Sequence, residues 1–530
     1  MKKTISCSRA ETLLLTIYLL LPASFASAET LADIDQEIQS EPSFKTYSGG
    51  LDAFNIYDGV TDSRLNRKIA ILMNADINPR FFQTADGSRD YSNFYSFTST
   101  AGVTDTKLDI VTTDSNLRLF RRGNSGYKEA LGHLGSWWSD RYRGIQDSRD
   151  QLAILEAWGS DLQRIYVIDV PTGYTLLAGI AAPMERNGEY RNGGAYQYYY
   201  RGAPASWLTY ALYAPDYLKS YSGAITSAQQ AGRSIATDLA AQLDQTRHAI
   251  PGNHPAQGEE SLGELWLRAY GGDVNYSDGG NVNSRTAGMS LGWQRMINGW
   301  SSDESSSYLG ILLGQGINFQ QYGMSGVENE SKAMVAGIYG LYTHAPASDR
   351  SWYGSISLLY GGLNLDNSVP GELGYALEQE YDGNVTILTI ENGISFRSQS
   401  GWSVEPQLQF LYTNVDQDSF HDSLGARISL EQGNSYRGGL GIEVRKNLYD
   451  TADKRLDVWT KLRYVHDFSD ANEVWVAGDL AKSNVEQNVY GLTLGSEWKL
   501  DHRWSLQCQI EEVFDGAKGL QGNLAINYIW

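Results

Sequence analysis

Cysteine is almost missing from this chain, which has two in 530 residues, Cys7 and Cys508. Cys7 falls in an N-terminal leader described below, so no internal disulfide is expected. Clustered positive charge is missing too. The formal net charge is −20, and no basic stripe interrupts the 62 acidic residues. Nucleic-acid binding needs grouped Lys and Arg and is excluded as the main activity. An acidic balance speaks instead for solubility and weak non-specific sticking. The histidines, at 133, 248, 254, 344, 421, 466 and 502, show no metal-ligand spacing and no companion Cys; no metal site is expected, although His248 and His254 share one linker. No phosphate-binding glycine loop is found, and no cofactor is expected. Beyond the leader, no apolar run is long enough for a membrane helix, which takes roughly 20 residues.

The leader holds the longest apolar run, Leu13-Leu14-Leu15-Thr16-Ile17-Tyr18-Leu19-Leu20-Leu21. Lys2, Lys3 and Arg9 precede it, and Pro22 and Ala26-Ser27-Ala28 follow. The run is too short for a transmembrane anchor. Charged, apolar and small-residue regions in that order make residues 1–28 a secretory signal with cleavage after Ala28.

What the chain has in abundance is alternation. Its last seven residues, Leu524-Ala525-Ile526-Asn527-Tyr528-Ile529-Trp530, carry apolar or aromatic side chains at every second position. Such a strand turns one face to lipid and the other to water. From about Leu262 onward the same period recurs. Trp402, Val404, Leu408, Phe410 and Tyr412 alternate with Glu405, Gln407 and Gln409; Leu440, Ile442 and Val444 alternate with Arg437, Glu443 and Arg445; Leu462, Tyr464 and Phe468 alternate with Lys461, Arg463 and Asp467. Cys508 lies in phase with Trp504, Leu506 and Ile510 and is expected to face lipid.

About twelve such segments follow one another, near 262–273, 284–296, 306–321, 330–344, 351–365, 382–397, 401–415, 434–447, 456–468, 484–499, 502–514 and 517–530. A soluble sandwich would also alternate. These strands, however, run to about 12 residues, against about 5–6 in ordinary domains. They also carry Trp and Tyr near their ends, as interfacial girdles require. The expected fold is all-β: a C-terminal 12-stranded antiparallel transmembrane β-barrel, preceded by a short β-rich segment. Closure leaves no unpaired edge in hydrocarbon.

Between Asp216 and Ile250 the period changes. Leu218, Tyr221, Ile225, Ala228, Gly232, Ile235, Leu239 and Leu243 recur at helical spacing, with Asp216 placed to cap the start and Pro251-Gly252 to end it. Small residues such as Gly223, Ala224, Ser227, Ala231 and Ala240 keep this helix slim, and Arg233 and Asp238 charge its surface. It is long enough to cross about 30 Å. Alone it would read as an amphipathic helix packed on the preceding domain. Beside a barrel it reads as a pore-threading helix.

This order resembles the monomeric (type Va) autotransporters. Leu265-Trp266-Leu267-Arg268-Ala269-Tyr270-Gly271 resembles that family's first barrel strand, Trp402-Ser403-Val404-Glu405-Pro406-Gln407-Leu408-Gln409 its W-x-x-E-P-Q-x-Q strand, and Tyr464-Val465-His466-Asp467-Phe468 its Y-x-H-x-F ending. Residues 150–200 resemble the autochaperone segment that ends many passengers. There Leu152, Ile154, Ile165, Val167 and Val170 suggest short strands, and Gly193 to Tyr200 with Trp207-Leu208-Thr209 resembles the closing strands. The resemblance divides the chain into a signal peptide (1–28), a passenger (29–149), an autochaperone-like end (150–215), a pore helix and linker (216–260) and the barrel (261–530).

It further implies export by the general secretory pathway, periplasmic chaperones, and insertion by the barrel-assembly machinery, which reads Tyr528 and Trp530. The barrel would sit in outer-membrane lipid and lipopolysaccharide, with the passenger at the cell surface or outside the cell and its ligand undefined. The passenger lacks long β-helix repeats, and the helix lacks a paired-Asn cleavage motif.

No enzyme is expected. Gly123-Asn124-Ser125-Gly126 faintly resembles a serine-protease nucleophile turn, but no His precedes it as a chymotrypsin-type order requires. No catalytic, cofactor or metal residues are assigned. The candidate site is the pore lumen. Arg268, Glu405, Arg437, Glu443, Arg445, Lys461 and Arg463 on the wall, with Arg233 and Asp238 on the helix, are expected to pair with one another or with water and hold the helix. The first reading is surface display of an adhesin-type binding passenger. The rivals are a porin-like channel with an N-terminal periplasmic domain and a secreted hydrolase passenger.

Overall fold

A computed structural model describes residues 109–529, apart from 125–133, 136, 182–183, 201–202, 250–262, 277–280, 298–304, 347, 373–374, 452–453 and 484–486. The expected signal (1–28), the first part of the expected passenger (29–108), Ser125 and Trp530 lie outside the described residues.

The described residues ahead of the long helix take in part of the expected passenger (29–149) and its expected autochaperone-like end (150–215); together these form the passenger end, with β1 (Asp109–Thr112), β2 (Leu117–Gly123), β3 (Trp137–Ser139), α1 (Ile145–Gln151), β4 (Arg164–Val170), β5 (Thr175–Ile180), β6 (Met184–Arg186), β7 (Glu189–Arg191), β8 (Tyr196–Tyr199) and β9 (Leu208–Tyr213). Seven of these strands make one sheet in the order β1-β5-β8-β3-β2-β4-β9. Alternation sorts its two faces. Leu119, Tyr166 and Ile168 join Trp138 and Trp207 in one core. Phe120, Ile165, Val167 and Leu212 turn the other way and pack against Tyr217 and the helix that follows. The expected strand at Leu152 and Ile154 is instead the end of α1 and the turn after it. Ile165, Val167 and Val170 do lie on a strand, β4.

The helix, α2, runs Ala214–Ala249, 36 residues, and is about 54 Å long at 1.5 Å per residue. It starts two residues before Asp216, which therefore lies in the first turn and does not cap it. Pro215 is tolerated there because first-turn N–H groups have no intrahelical acceptor. Among the described residues no helix is long and apolar enough to cross a membrane.

The barrel begins with β10 (Gly263–Tyr276), β11 (Val282–Met296), β12 (Ser305–Tyr322), β13 (Glu328–His344), β14 (Arg350–Val369), β15 (Leu377–Arg397) and β16 (Trp402–Asp416). After β17 (Phe420–His421) and β18 (Arg427–Gln432) it resumes with β19 (Asn434–Asp450) and β20 (Arg455–Asp467). After β21 (Asn472–Val476) and β22 (Asp479–Ser483) come β23 (Asn488–Lys499), β24 (Trp504–Phe514) and β25 (Ala517–Ile529). The barrel is closed: β10-β11-β12-β13-β14-β15-β16-β19-β20-β23-β24-β25, with β25 pairing back onto β10 from Glu264↔Ile529 to Tyr276↔Ala517. Strands β17, β18, β21 and β22 form a separate four-stranded sheet built from two long connections at one mouth.

The outer face carries Leu265, Leu267, Met289, Leu291, Ile311, Leu313, Leu408, Leu440, Leu462, Leu494 and Ile526, all exposed. An apolar band of this extent has to be covered, and hydrocarbon is what covers the outside of a closed barrel. Cys508 is exposed on the same outer face.

Inside, bulky rings rest on glycines of neighbouring strands. A Cβ on Gly292 would stand 2.1 Å from the Trp266 ring, and one on Gly310 would stand 2.2 Å from Tyr339. The indole N–H of Trp266 donates to the Tyr339 hydroxyl at 2.8 Å. Glycine at these positions makes room for the rings. Gly292→Val is expected to destabilise the folded barrel by about 1–3 kcal/mol through overpacking, read as a lower temperature for loss of its compact form on unboiled SDS gels. Gly362→Val, whose Cβ meets nothing within 4 Å, is expected to behave as the parent.

Candidate functional site in the barrel lumen

Two faces of one strand meet different solvents, so every second residue of the wall meets α2 or lumen water. α2 occupies this space against the β11–β16 side. Ser227 Oγ lies 3.0 Å from Asn318 Oδ1, and Ser234 donates to the Tyr270 hydroxyl at 3.0 Å. A Cβ on Gly316 would fall 2.4 Å from the Ala231 carbonyl oxygen. The small residues of α2 thus let its backbone approach the wall.

Three sets of polar contacts hold the helix along its length. At the mouth where it enters, the extra sheet closes over it. Asp422 accepts from the hydroxyls of Tyr217 and Tyr221 and from the backbone N–H groups of Leu424 and Ala426. Gln229 donates to the Gly433 carbonyl at 2.9 Å and to Asn472 at 3.0 Å, and Ser483 donates to the Ser222 carbonyl at 2.8 Å. The tip of the β21–β22 hairpin reaches past the helix to the passenger end. Asp479 accepts from the Ile145 N–H at 2.8 Å and from Arg122 at 2.8 Å, and Gly144 N–H donates to the Ala477 carbonyl at 3.2 Å. Burial raises the Asp479 carboxyl above the ordinary aspartate range, with the Arg122 guanidinium opposing it. Arg164 pairs with Glu372 across the same junction.

Midway down, Arg268 is fully buried and donates to Asp238 at 2.9 Å, to Gln507 at 2.6 Å and to Asn523 at 2.9 Å. Arg233 donates to Gln229 at 2.7 Å and lies 3.9 Å from Asp467, which also pairs with Arg437 at 2.8 Å. Arg463 pairs with Glu511. Lys461 lines a small cavity beside Gln407 and Arg463.

At the far mouth the last turn of α2 brings Asp244, Arg247 and His248 against Glu405, Glu443 and Arg445. Arg247 pairs with Asp244 and Glu405; Arg445 donates to Asp244 at 2.9 Å and to Glu443 at 3.0 Å. The guanidinium carbons of Arg247 and Arg445 stand 4.2 Å from the ring centroids of Tyr353 and Trp459. His248 belongs to the helix and is buried; it is not in a shared linker, and His254 lies outside the described residues.

Of the wall charges picked out by alternation, Arg268, Glu405 and Arg445 touch charged groups of α2 directly. Arg437 and Arg463 pair within the wall. The helix residues Asp244, Arg247 and His248 were not assigned from sequence, although their i, i+3, i+4 spacing puts them on one face.

Asp244, His248 and Glu443 bring three potential ligand atoms within 4.8 Å of one another. Both carboxylates already accept from guanidinium groups, so an incoming cation would face two arginines. The arrangement is an ion-pair network. Near Gly123, Asn124 donates to the Gly159 carbonyl at 3.0 Å, as in a polar turn, and Ser125 and His133 lie outside the described residues. Tyr528 packs on Trp504, ring centroids 4.7 Å apart.

Fold and lumen together define an outer-membrane-type barrel plugged by the helix that precedes it in the chain. Residues 265–511 match the family model "Autotransporter beta-domain". The barrel is an autotransporter β-domain, and its place is the outer membrane. Among curated relatives, the pertactin autotransporter of Bordetella parapertussis is 26% identical over 164 residues, 31% of this chain and 18% of the relative. The probable autotransporter YfaL of Escherichia coli is 27% identical over 280 residues, 50% of this chain and 21% of the relative. The chain thus spans about a fifth of the length of these relatives. Among solved structures, the β-domain of the Bordetella autotransporter BrkA is 19% identical with a TM-score of 0.42, covering 50% of this chain and 98% of that one.

Removing one partner of a buried ion pair leaves an uncompensated charge and costs about 3–5 kcal/mol, whereas replacing both with apolar groups is often near neutral. Asp238→Ala is therefore expected to lower the thermal midpoint of the folded barrel sharply, and Asp238→Leu with Arg268→Met to restore most of it. Equal loss in the single and double variants would contradict the assignment.

Proposed function

We propose that this chain is an outer-membrane autotransporter whose barrel supports export of its own N-terminal passenger and keeps it attached at the cell surface through α2. The observation that carries this reading is the path of the chain. The passenger end sits at one mouth, α2 runs through the lumen, and β10 starts at the other mouth, where β25 also ends. An even strand count returns both barrel termini to one side, and in bacterial barrels the short turns face the periplasm and the long loops the exterior. The long connections 417–433 and 468–487 lie at the passenger's mouth. A periplasmic domain ahead of a porin would have to sit at the opposite mouth.

The residues from 150 to 215 act as the first part of the passenger to fold outside, serving as a template for what precedes them. Export by the general secretory pathway, periplasmic chaperones and insertion by the barrel-assembly machinery, with Tyr528 and Trp530 as the signal, complete the route. The hydrogen-bonded hairpin tip and the lumen ion pairs favour a passenger that stays attached and acts by binding, as an adhesin does, with lipopolysaccharide around the barrel.

An epitope inserted in the exposed turn at Asp114 and Ser115 should be cut by protease added to intact cells. Protection on intact cells, with a folded barrel and cutting after lysis, would support the periplasmic rival. In planar bilayers the parent should conduct poorly, and a variant lacking residues 216–249 that still gives the folded gel form should conduct well.

A further inference from the structure

We propose that the cavity at the passenger-side mouth of the lumen is a binding site for a small molecule bearing a phosphate or sulfate group. The cavity measures about 460 Å³ and lies between the β21–β22 hairpin, the passenger end and one side of α2. That volume falls in the range of about 300–1,000 Å³ typical of small-molecule sites. Four basic side chains line it: Lys219 and Arg233 from α2, Arg437 from β19 and Lys482 from β22. Among the described residues no Asp or Glu lines it, in a chain with 62 acidic and 42 basic residues. A cavity whose charge opposes that of the whole chain concentrates anions.

Among the described residues, Arg233 and Arg437 have one carboxylate between them. Asp467 is shared by Arg437 at 2.8 Å and Arg233 at 3.9 Å. Glu473 pairs with Lys482, and Asp216 precedes Lys219 by three residues. Arg233 is the second, independent indication. It is 4% exposed, donates from Nη2 to Gln229, and among the described residues its Nε has no hydrogen-bond partner. A buried, unmatched guanidinium donor is costly, and a bound oxyanion would satisfy it. Tyr276 and Tyr322 also line the cavity, with the Lys219 ammonium 4.3 Å from the Tyr322 ring centroid. Those rings suit a sugar or another flat face carrying the anion.

Two sources offer this chemistry, a soluble phosphate ester and the phosphorylated sugars of lipopolysaccharide. Which of them meets the cavity rests on the orientation proposed above, but binding by the purified protein does not. Calorimetry on the full chain in detergent tests the site with inorganic pyrophosphate and, in a second arm, with a lipid-free phosphorylated core oligosaccharide. Saturable pyrophosphate binding is expected, weakened by added NaCl and by about tenfold in Lys219→Gln and in Lys482→Gln. Tighter binding of the oligosaccharide would assign the membrane source, and tighter binding of pyrophosphate the soluble one. The two Lys variants are chosen because Arg233→Gln risks misfolding; their compact gel form checks that they fold. No saturable heat at millimolar pyrophosphate, or undiminished affinity in both folded Lys variants, would overturn the proposal. Intact-cell proteolysis judges surface display separately.

Discussion

Every backbone N–H and C=O that enters hydrocarbon has to find its partner within the protein. The thirteen paired positions between β10 and β25 meet that requirement by joining the last strand to the first. The rest of the molecule follows from this closure. It creates an outside that must be apolar and an inside that must be filled or wet, and it forces each strand to serve both. Leu440 and Ile442 outside, with Glu443 and Arg445 inside, show one strand meeting both demands within six residues.

The interior is filled by a slim helix whose small side chains permit close approach to the wall and whose charges meet wall charges of opposite sign. Pairs such as Asp238 with Arg268, or Arg247 with Glu405, add little net stability over an apolar interior of equal volume. Their value is in register: a helix shifted by one turn would leave several buried charges without partners. The loop sheet extends the same arrangement beyond the membrane. Asp422 holds the first turns of α2, and Asp479 holds α1 of the passenger end, so barrel, helix and passenger end share one continuous contact surface.

The barrel was legible because period-two alternation over long segments has few other causes. The segment expected at 382–397 is Leu377–Arg397, and the one expected at 284–296 is Val282–Met296. The differences lie at the passenger-side ends, where polar residues such as Glu378 and Glu380 continue the pairing beyond the apolar band. The loop sheet was not legible. β17 has two residues and β18 six, too short for alternation to stand out among polar neighbours. Leu152 and Ile154 misled because isolated apolar residues suit a strand and a helix end equally. Among the lumen charges, alternation marked which side each faces. It could not mark partners, since Arg437 and Arg463 pair along the wall while Arg268 and Arg445 reach α2, a difference decided by the helix's rotation.

Occupation of the lumen by α2 in one rotation and register is measured directly by a disulfide trap. With Cys508 replaced by Ser, Cys is placed at Ser227 on α2 and Asn318 on β12, whose side chains lie 3.0 Å apart. Spontaneous crosslinking of this pair in the outer membrane is expected, seen as a shift on non-reducing gels. No crosslink is expected when Ser227→Cys is combined with Thr493→Cys on β23. Crosslinking of both pairs, or of neither in a folded barrel, would contradict that placement of α2.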